Sequence, residues 1–283
     1  QPDREQGRGK EKLPSPVKQF SLDHSIPVYQ PENPNVRTFV EELEKLSPDV
    51  MVLVAYGNLL RKKVLALSPY GFLNVHFSLL PRYRGASPVS AAMLAGDPIT
   101  GVSIMKLVPR MDAGPVLRSA STEISREDTR DVLELKLSRL AAPLLIETIE
   151  ELKRGTVQET EQDETRATYC SVLEKEAGRI PWIKESSYLE RFVKAMTPWP
   201  TAYTVLRLQN GEERRLIVRE AIAIEGKAFQ NPGTVQKVSR DGIDVETSRG
   251  TLRITALQKA GKKTMKAADF LAGNPVQPGD VFV

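Results

Sequence analysis

Three features of the 283-residue sequence predict an α/β domain with a mostly parallel sheet followed by a small all-β barrel. In the first half, helically spaced apolar residues alternate with short, continuously apolar runs, as when buried parallel strands are covered by helices. After Pro200 the pattern changes to five short alternating segments separated by NG, PG, DG and RG pairs, the turn chemistry of hairpins. Between these halves, TVQETEQDETRATYC is polar with little periodicity and reads as a linker. The expected organisation is a Rossmann-like domain over 1–157, a linker over 158–176 and an OB-like domain over 177–283.

The first stretch, QPDREQGRGKEKLPSPVKQF, is polar, basic and rich in Gly and Pro, and is expected to be a loop. In VRTFVEELEKL, Val36, Phe39, Val40, Leu43 and Leu46 recur at helical spacing, which predicts a helix. DVMVLVAYG (49–57) follows as a buried strand ended by glycine. RKKVLALS is expected to form a short helix, GFLNVHF a strand, SPVSAAMLAG a helix and GVSIMKLV (101–108) another strand. A longer helix over 129–154 carries Leu133, Leu137, Leu140, Leu144 and Leu145, with Pro143 inside it and Gly155 ending it. The segments AYTVLRL, RRLIVREAIAI, GTVQKV, GIDVET and GTLRITALQ supply the barrel strands.

Composition narrows the function classes. No run approaches the ~18 apolar residues of a membrane helix, so membrane insertion is not expected. Cys170 is the only cysteine, which excludes an intramolecular disulfide and a Cys-based zinc site made by this chain alone, and fits a reducing compartment. Lys and Arg number 40 against 36 Asp and Glu. From Pro200 to Val283 they number 13 against 9, so the whole excess lies in the C-terminal part.

The chemistry concentrates in GFLNVHFSLLPRYRGASP (71–88). Residues i and i+2 of a strand share a face, so Asn74 and His76 project together near the carboxyl edge of the sheet, where open α/β folds bind ligands. The next strand runs into LVPRMDAGPV, which can bring Asp112 beside that pair. An amide can stabilise an oxyanion, an imidazole can move a proton and a carboxylate can hold the imidazole. Spacing alone leaves the structural reading open: N-x-H also suits an ordinary strand end, D-A-G an ordinary turn, and PRYRG and GKKTM solvated loops. His24, the only other histidine, is expected on the surface before a strand.

NVHFSLLPRYRGASP followed by GDPITGVSIMKLVPRMDAGPVL is similar to the central signature of enzymes that use 10-formyltetrahydrofolate as formyl donor. With QPDREQGRGKEKLPSPVK, AYGNLL, EAGRIPW, TPWPTAYT and QKAGKKTMKAADFLAGNPVQPGDVFV, nearly the whole chain resembles the methionyl-tRNA formyltransferase family. That resemblance implies transfer of the formyl group to the α-amine of methionyl-initiator tRNA, for translation initiation, with folate as cosubstrate and no metal. It implies that Asn74 bonds the formyl oxygen, that His76 stabilises the intermediate and moves a proton, and that Asp112 orients His76. Ser78, Leu79, Leu80 and Pro81 are implied as the folate-contact segment, with Tyr56, Gly57, Leu59 and Leu60 lining the pterin pocket. Arg8, Lys10, Lys12, Arg82, Arg84, Lys262 and Lys263 are implied as tRNA contacts, since phosphate contacts position a nucleic acid.

The family's chains open with a strand, glycine-bearing loop, helix and strand that this sequence, starting at Gln1, does not contain, so an N-terminally incomplete domain is expected. A monomer in the cytoplasm, of bacterial type or mitochondrial, is the setting implied. Two other readings stay open at this point: another formyltransferase or hydrolase using the same donor, and an inactive tRNA-binding chain lacking that first unit.

Overall fold

A computed structural model describes residues 1–6, 11–58 and 60–283, and divides the chain into two compact units. One holds Gln1–His76, Ile104–Leu117 and Glu147–Glu161; the other holds Phe77–Ser103, Arg118–Ile146 and Gln162–Val283. Arg8, Lys10 and Leu59 lie outside the described residues.

The first unit opens with strands β1 (Arg4–Gln6) and β2 (Glu11–Leu13), antiparallel with Arg4 opposite Leu13, where a loop was expected. Helix α1 (Pro16–Asp23) begins at Ser15, whose side chain accepts from Lys18 N, and places Pro16 in the first turn, where its missing N–H costs nothing. His24 closes this helix, stacked on Phe20, rather than preceding a strand. Next come α2 (Arg37–Leu46), β3 (Met51–Leu53), α3 (Lys62–Leu65) and β4 (Phe72–His76). Val40, Val64 and Phe72 form a buried cluster against which Met51, Leu60, Leu65, Leu67 and Leu107 pack.

β3 and β4 pair in parallel, Met51 opposite Phe72 and Leu53 opposite Asn74. Every residue of β4 is buried. β3 is shorter than the apolar run predicts, and Val52 and Val54 are exposed rather than buried. The reason is position: in the sheet order β3–β4–β6–β7 it stands at an edge. β6 (Ile99–Lys106) and β7 (Val116–Glu123) each have residues in both units. Lys106 N donates to Pro115 O and Ile124 N to Pro98 O, so these strands run antiparallel and the sheet is mixed.

In the second unit, the two-residue strand β5 (Arg84–Gly85) pairs in parallel with β8 (Tyr169–Cys170), and α4 (Pro88–Ala95) ends at Gly96 in the left-handed conformation. The long helix α5 (Arg130–Arg154) contributes to both units. It buries Leu133, Leu137, Ala141 and Leu144, one stripe at helical spacing. Helix α6 (Ser186–Ala195) follows, and Leu189, Phe192 and Val193 on it are buried.

The β-rich part comprises β9 (Ala202–Arg207), β10 (Glu213–Ala228), β11 (Val235–Ser239), β12 (Gly242–Glu246), β13 (Arg249–Lys259), β14 (Met265–Lys266), helix α7 (Ala267–Ala272) and β15 (Val281–Phe282). Its strands are antiparallel in the order β11–β12–β13–β10–β9–β15, with β14 beside β13. A bridge between Thr234 and Val281 ties the two ends of that order together, so the sheet curls around Leu206, Leu216, Ile243, Leu252, Ile254, Phe270 and Phe282. Irregular register in β10 near Val218–Ala221 is the kind of bulge that lets a long strand bend around such a core.

Candidate active site

β4 carries Asn74 and His76 on one face, and both side chains are buried. Asp112, in the connection from β6 to β7, reaches both. Asn74 Nδ2 donates to Asp112 Oδ1 at 3.3 Å, and His76 Nδ1 lies 3.8 Å from Asp112 Oδ2. The second distance suits a charge pair and is too long for a hydrogen bond. Asp112 adopts φ +48, a left-handed conformation that Asp tolerates better than most residues. Gly114 completes the turn because a Cβ there would run into the Lys106 carbonyl oxygen. The D-A-G turn therefore aims a carboxylate at the strand end.

Ser78 to Pro81 belong to the second unit, where Ser103 on β6 braces them. Ser103 Oγ donates to Ser78 O at 2.7 Å and accepts from Leu80 N at 3.1 Å, and Ser78 Oγ donates to Arg82 O at 2.6 Å. Leu79 turns toward Gly101, while Leu80 and Pro81 stay half-buried. Sequence reading passed over Ser103; a hydroxyl inside the apolar run GVSIMKLV was the available signal.

In the first unit, Tyr56 is half-buried and its carbonyl accepts from the Gln1 side chain, while Gly57 is exposed at φ +74. A cleft of about 480 Å³ is lined by Tyr56, Gly57 and Asn58 with Gln1, Pro2, Leu13 and Ser15. Leu60 packs into the Val40 cluster.

The basic residues divide sharply. Lys12, Lys262 and Lys263 are exposed, the last two in the connection from β13 to β14. Arg82 is half-exposed and donates to Asp97 Oδ1 at 3.0 Å and to Tyr83 Oη at 2.7 Å. Tyr83 Oη in turn donates to Asp97 Oδ2 at 2.7 Å; burial first, then the Asp97 carboxylate, pushes its pKa up to about 12, so it remains a neutral donor.

Arg84 corrects the expectation of a loop cation facing phosphate. It has no exposure. Its guanidinium donates to Gln162, Glu164 and Tyr169, and the hydrogen bonds to Glu164, followed by that to Tyr169, hold its pKa above the usual arginine value against the cost of burial. A phosphate has no path to it.

Among the described residues, no group of three or more His, Cys, Asp or Glu side chains is placed to hold a metal ion, and no helix is long and apolar enough to cross a membrane.

Comparison with known proteins gives a consistent result. Residues 1–149 match the formyl transferase family and residues 172–275 the formyl transferase C-terminal domain. The methionyl-tRNA formyltransferase of Marinobacter nauticus is 41% identical over 96% of this chain and 86% of its own length. That of Bacillus velezensis is 41% identical over 100% of this chain and 88% of its own. Among solved structures, HypX from Aquifex aeolicus in complex with tetrahydrofolic acid shares the fold at TM-score 0.61 and 20% identity, covering 89% of this chain and 44% of that one. An N-formyltransferase from Helicobacter canadensis, solved with folinic acid and dTDP-3-aminofucose, does so at TM-score 0.64 and 14% identity, covering 88% and 85%. Identity near 40% over almost the full described chain, carried by both matched domains, assigns the chain: it belongs to the methionyl-tRNA formyltransferase family.

Proposed function

We propose that this enzyme transfers the formyl group of 10-formyltetrahydrofolate to the α-amine of methionyl-initiator tRNA, for translation initiation. The observation that carries the proposal is one carboxylate, Asp112, reaching both the amide of Asn74 and the ring of His76 at the carboxyl end of a fully buried strand.

The folate supplies the formyl group, and its N10 leaves as the amine takes over the carbon. Asn74 has two amide N–H donors, one of them directed to Asp112; the other donates to the formyl oxygen as negative charge develops there. His76 moves the proton that the attacking amine loses and the leaving nitrogen requires. Asp112 sets its negative charge beside the ring, where the charge of an imidazolium would form during proton transfer.

The residues present suit a folate. Ser78 O and Leu80 N are already bonded to Ser103, so Ser78 to Pro81 would meet it chiefly through remaining backbone groups and the apolar surface of Leu80 and Pro81. Tyr56, Gly57 and Leu60, with Leu59, complete the proposed pterin contacts. Lys12, Lys262 and Lys263, with Arg8, Lys10 and the outer part of Arg82, are the proposed phosphate contacts. The catalytic part is assigned to 1–157 and the tRNA-binding part to 177–283, joined by 158–176. We place the enzyme in the cytoplasm as a monomer.

The test is formylation of charged initiator tRNA by the full-length protein with 10-formyltetrahydrofolate, beside an amino-sugar nucleotide as acceptor and a reaction with water alone. Formyl-methionyl-tRNA as the main product is expected. Transfer to the sugar amine, or hydrolysis of the donor without transfer to tRNA, overturns the assignment.

A further inference from the structure

We propose that Arg84 is a positioning residue for this reaction, a buried fork that fixes the path of residues 78–83 without touching either substrate. The inference rests on the folate role assigned above to Ser78 to Pro81.

The guanidinium is saturated. It offers five N–H donors in a rigid plane. Nε and Nη2 donate to Gln162 Oε1 at 3.0 and 2.8 Å, Nη2 and Nη1 to the two Glu164 oxygens at 2.8 and 3.1 Å, and Nη1 to Tyr169 Oη at 3.1 Å. The backbone around it is tied to the same segment. Arg84 N donates to Thr168 O at 2.8 Å, Tyr83 N to Thr168 Oγ1 at 2.8 Å, Thr168 N to Pro81 O at 3.3 Å and Ala86 N to Cys170 O at 3.2 Å. Gly85 belongs to the same clamp, because a Cβ there would meet the Cys170 carbonyl oxygen.

Residues 78–83 thus hang between two anchors, Ser103 on one side and the Arg84 clamp on the other. An apolar side chain could fill the space at lower desolvation cost. Five directed bonds do what packing alone does not: they fix a distance and an orientation at the exit of the turn. The Glu164 side chain is 52% exposed while that of Arg84 is 0%, so the fork also draws the polar stretch around residue 164 onto the buried turn. Loss of the fork frees one anchor, and a displacement of about 1 Å near a reacting group can cost about 10²-fold in rate.

The test compares full-length wild type with Arg84→Lys and Glu164→Gln, reading tetrahydrofolate binding, kcat and KM for the formyl donor, and affinity for methionyl-initiator tRNA across salt concentrations. Lysine keeps the charge and loses the fork. The expected result is a KM for the donor raised about tenfold or more in Arg84→Lys and less in Glu164→Gln, with weakened tetrahydrofolate binding and an unchanged tRNA salt slope. Should Arg84→Lys fail to fold, Glu164→Gln decides, since its side chain is half in solvent. Unchanged donor KM in the folded variants overturns the inference, as does a neutral Arg84→Gln variant that folds, keeps the donor KM and lowers the tRNA salt slope by about one, the sign of a phosphate ligand. A wild type that neither binds tetrahydrofolate nor formylates tRNA overturns the functional assignment itself, and this inference with it.

Discussion

Asp112 Oδ2 lies 3.8 Å from His76 Nδ1, a separation at which the charge of the carboxylate is felt at the ring and which is longer than a hydrogen bond between these two atoms. Replacing Asp112 by Asn keeps the shape of the turn and the neighbour of Asn74 while removing the carboxylate charge beside the imidazole. Asp112→Asn is therefore expected to lower kcat and shift the pH–rate profile, with tRNA affinity retained. A complete pH profile for wild type and variant checks this, and superimposable profiles would reduce Asp112 to a structural turn.

Asn74→Ala and His76→Ala are each expected to lower formyl transfer by about 10²- to 10³-fold, the usual effect of losing one oxyanion donor or proton carrier. Both residues are buried on one strand face, so neither change should alter tRNA affinity more than a few-fold. Turnover near the wild-type rate in either variant would remove the proposed mechanism. Circular dichroism must accompany the kinetics, because Asn74→Ala also leaves Asp112 without its amide donor.

Glu190 on α6 offers a prediction about stability. Its burial disfavours the charged form, but Arg126, Lys194 and the Ala223 amide outweigh that cost and hold the carboxyl down at about 2, against an ordinary value of 4.5. A lowered folded-state pKa stabilises the fold fully above the unfolded-state value and loses that contribution as pH falls through the folded-state value. Wild type should therefore melt well above Glu190→Gln near neutral pH. The gap should close as pH falls from about 4.5 toward about 2. A gap that stays constant over that window would show that Glu190 acts by shape rather than charge.

The parts that could be read from sequence are those whose signal is local. α2 and α5 repeat apolar residues at helical spacing, and β4 is a continuous apolar run. Period-two geometry then places Asn74 and His76 together without further information. β7 was not legible because VLRSASTE mixes exposed polar residues into a strand held mainly by its neighbour. The β1–β2 pair was hidden by its charged, glycine-rich sequence, whereas α6 carries Leu189, Phe192 and Val193 at helical spacing and was legible in principle. Arg84 is the clearest case. It sits in a loop-like PRYRG among other cations, yet Gln162 and Glu164 lie 78 and 80 residues further along. No local pattern can pair residues at that separation, so a buried fork looks like a solvated charge.

The exposed pair Lys262 and Lys263 remains, after the correction of Arg84, a basic feature of the barrel that phosphate can reach. Both stand in the short connection from β13 to β14, and Gln258 Nε2 donates to Lys262 O at 2.6 Å, which ties that connection to β13. Each cation that neutralises a phosphate releases condensed counterions, so its loss lowers affinity and flattens the salt dependence together. Changing both lysines to Gln is expected to weaken binding of methionyl-initiator tRNA and to reduce the log–log salt slope by up to about two, while KM for the formyl donor stays unchanged. Lys12→Gln should add its own decrement, since it lies in a different part of the chain and shares no bond with the pair. Filter binding or fluorescence titration at four or more salt concentrations checks both statements. If affinity and slope survive the double change, the β13–β14 connection does not face the tRNA, and the phosphate contacts of the barrel must be sought on another of its faces.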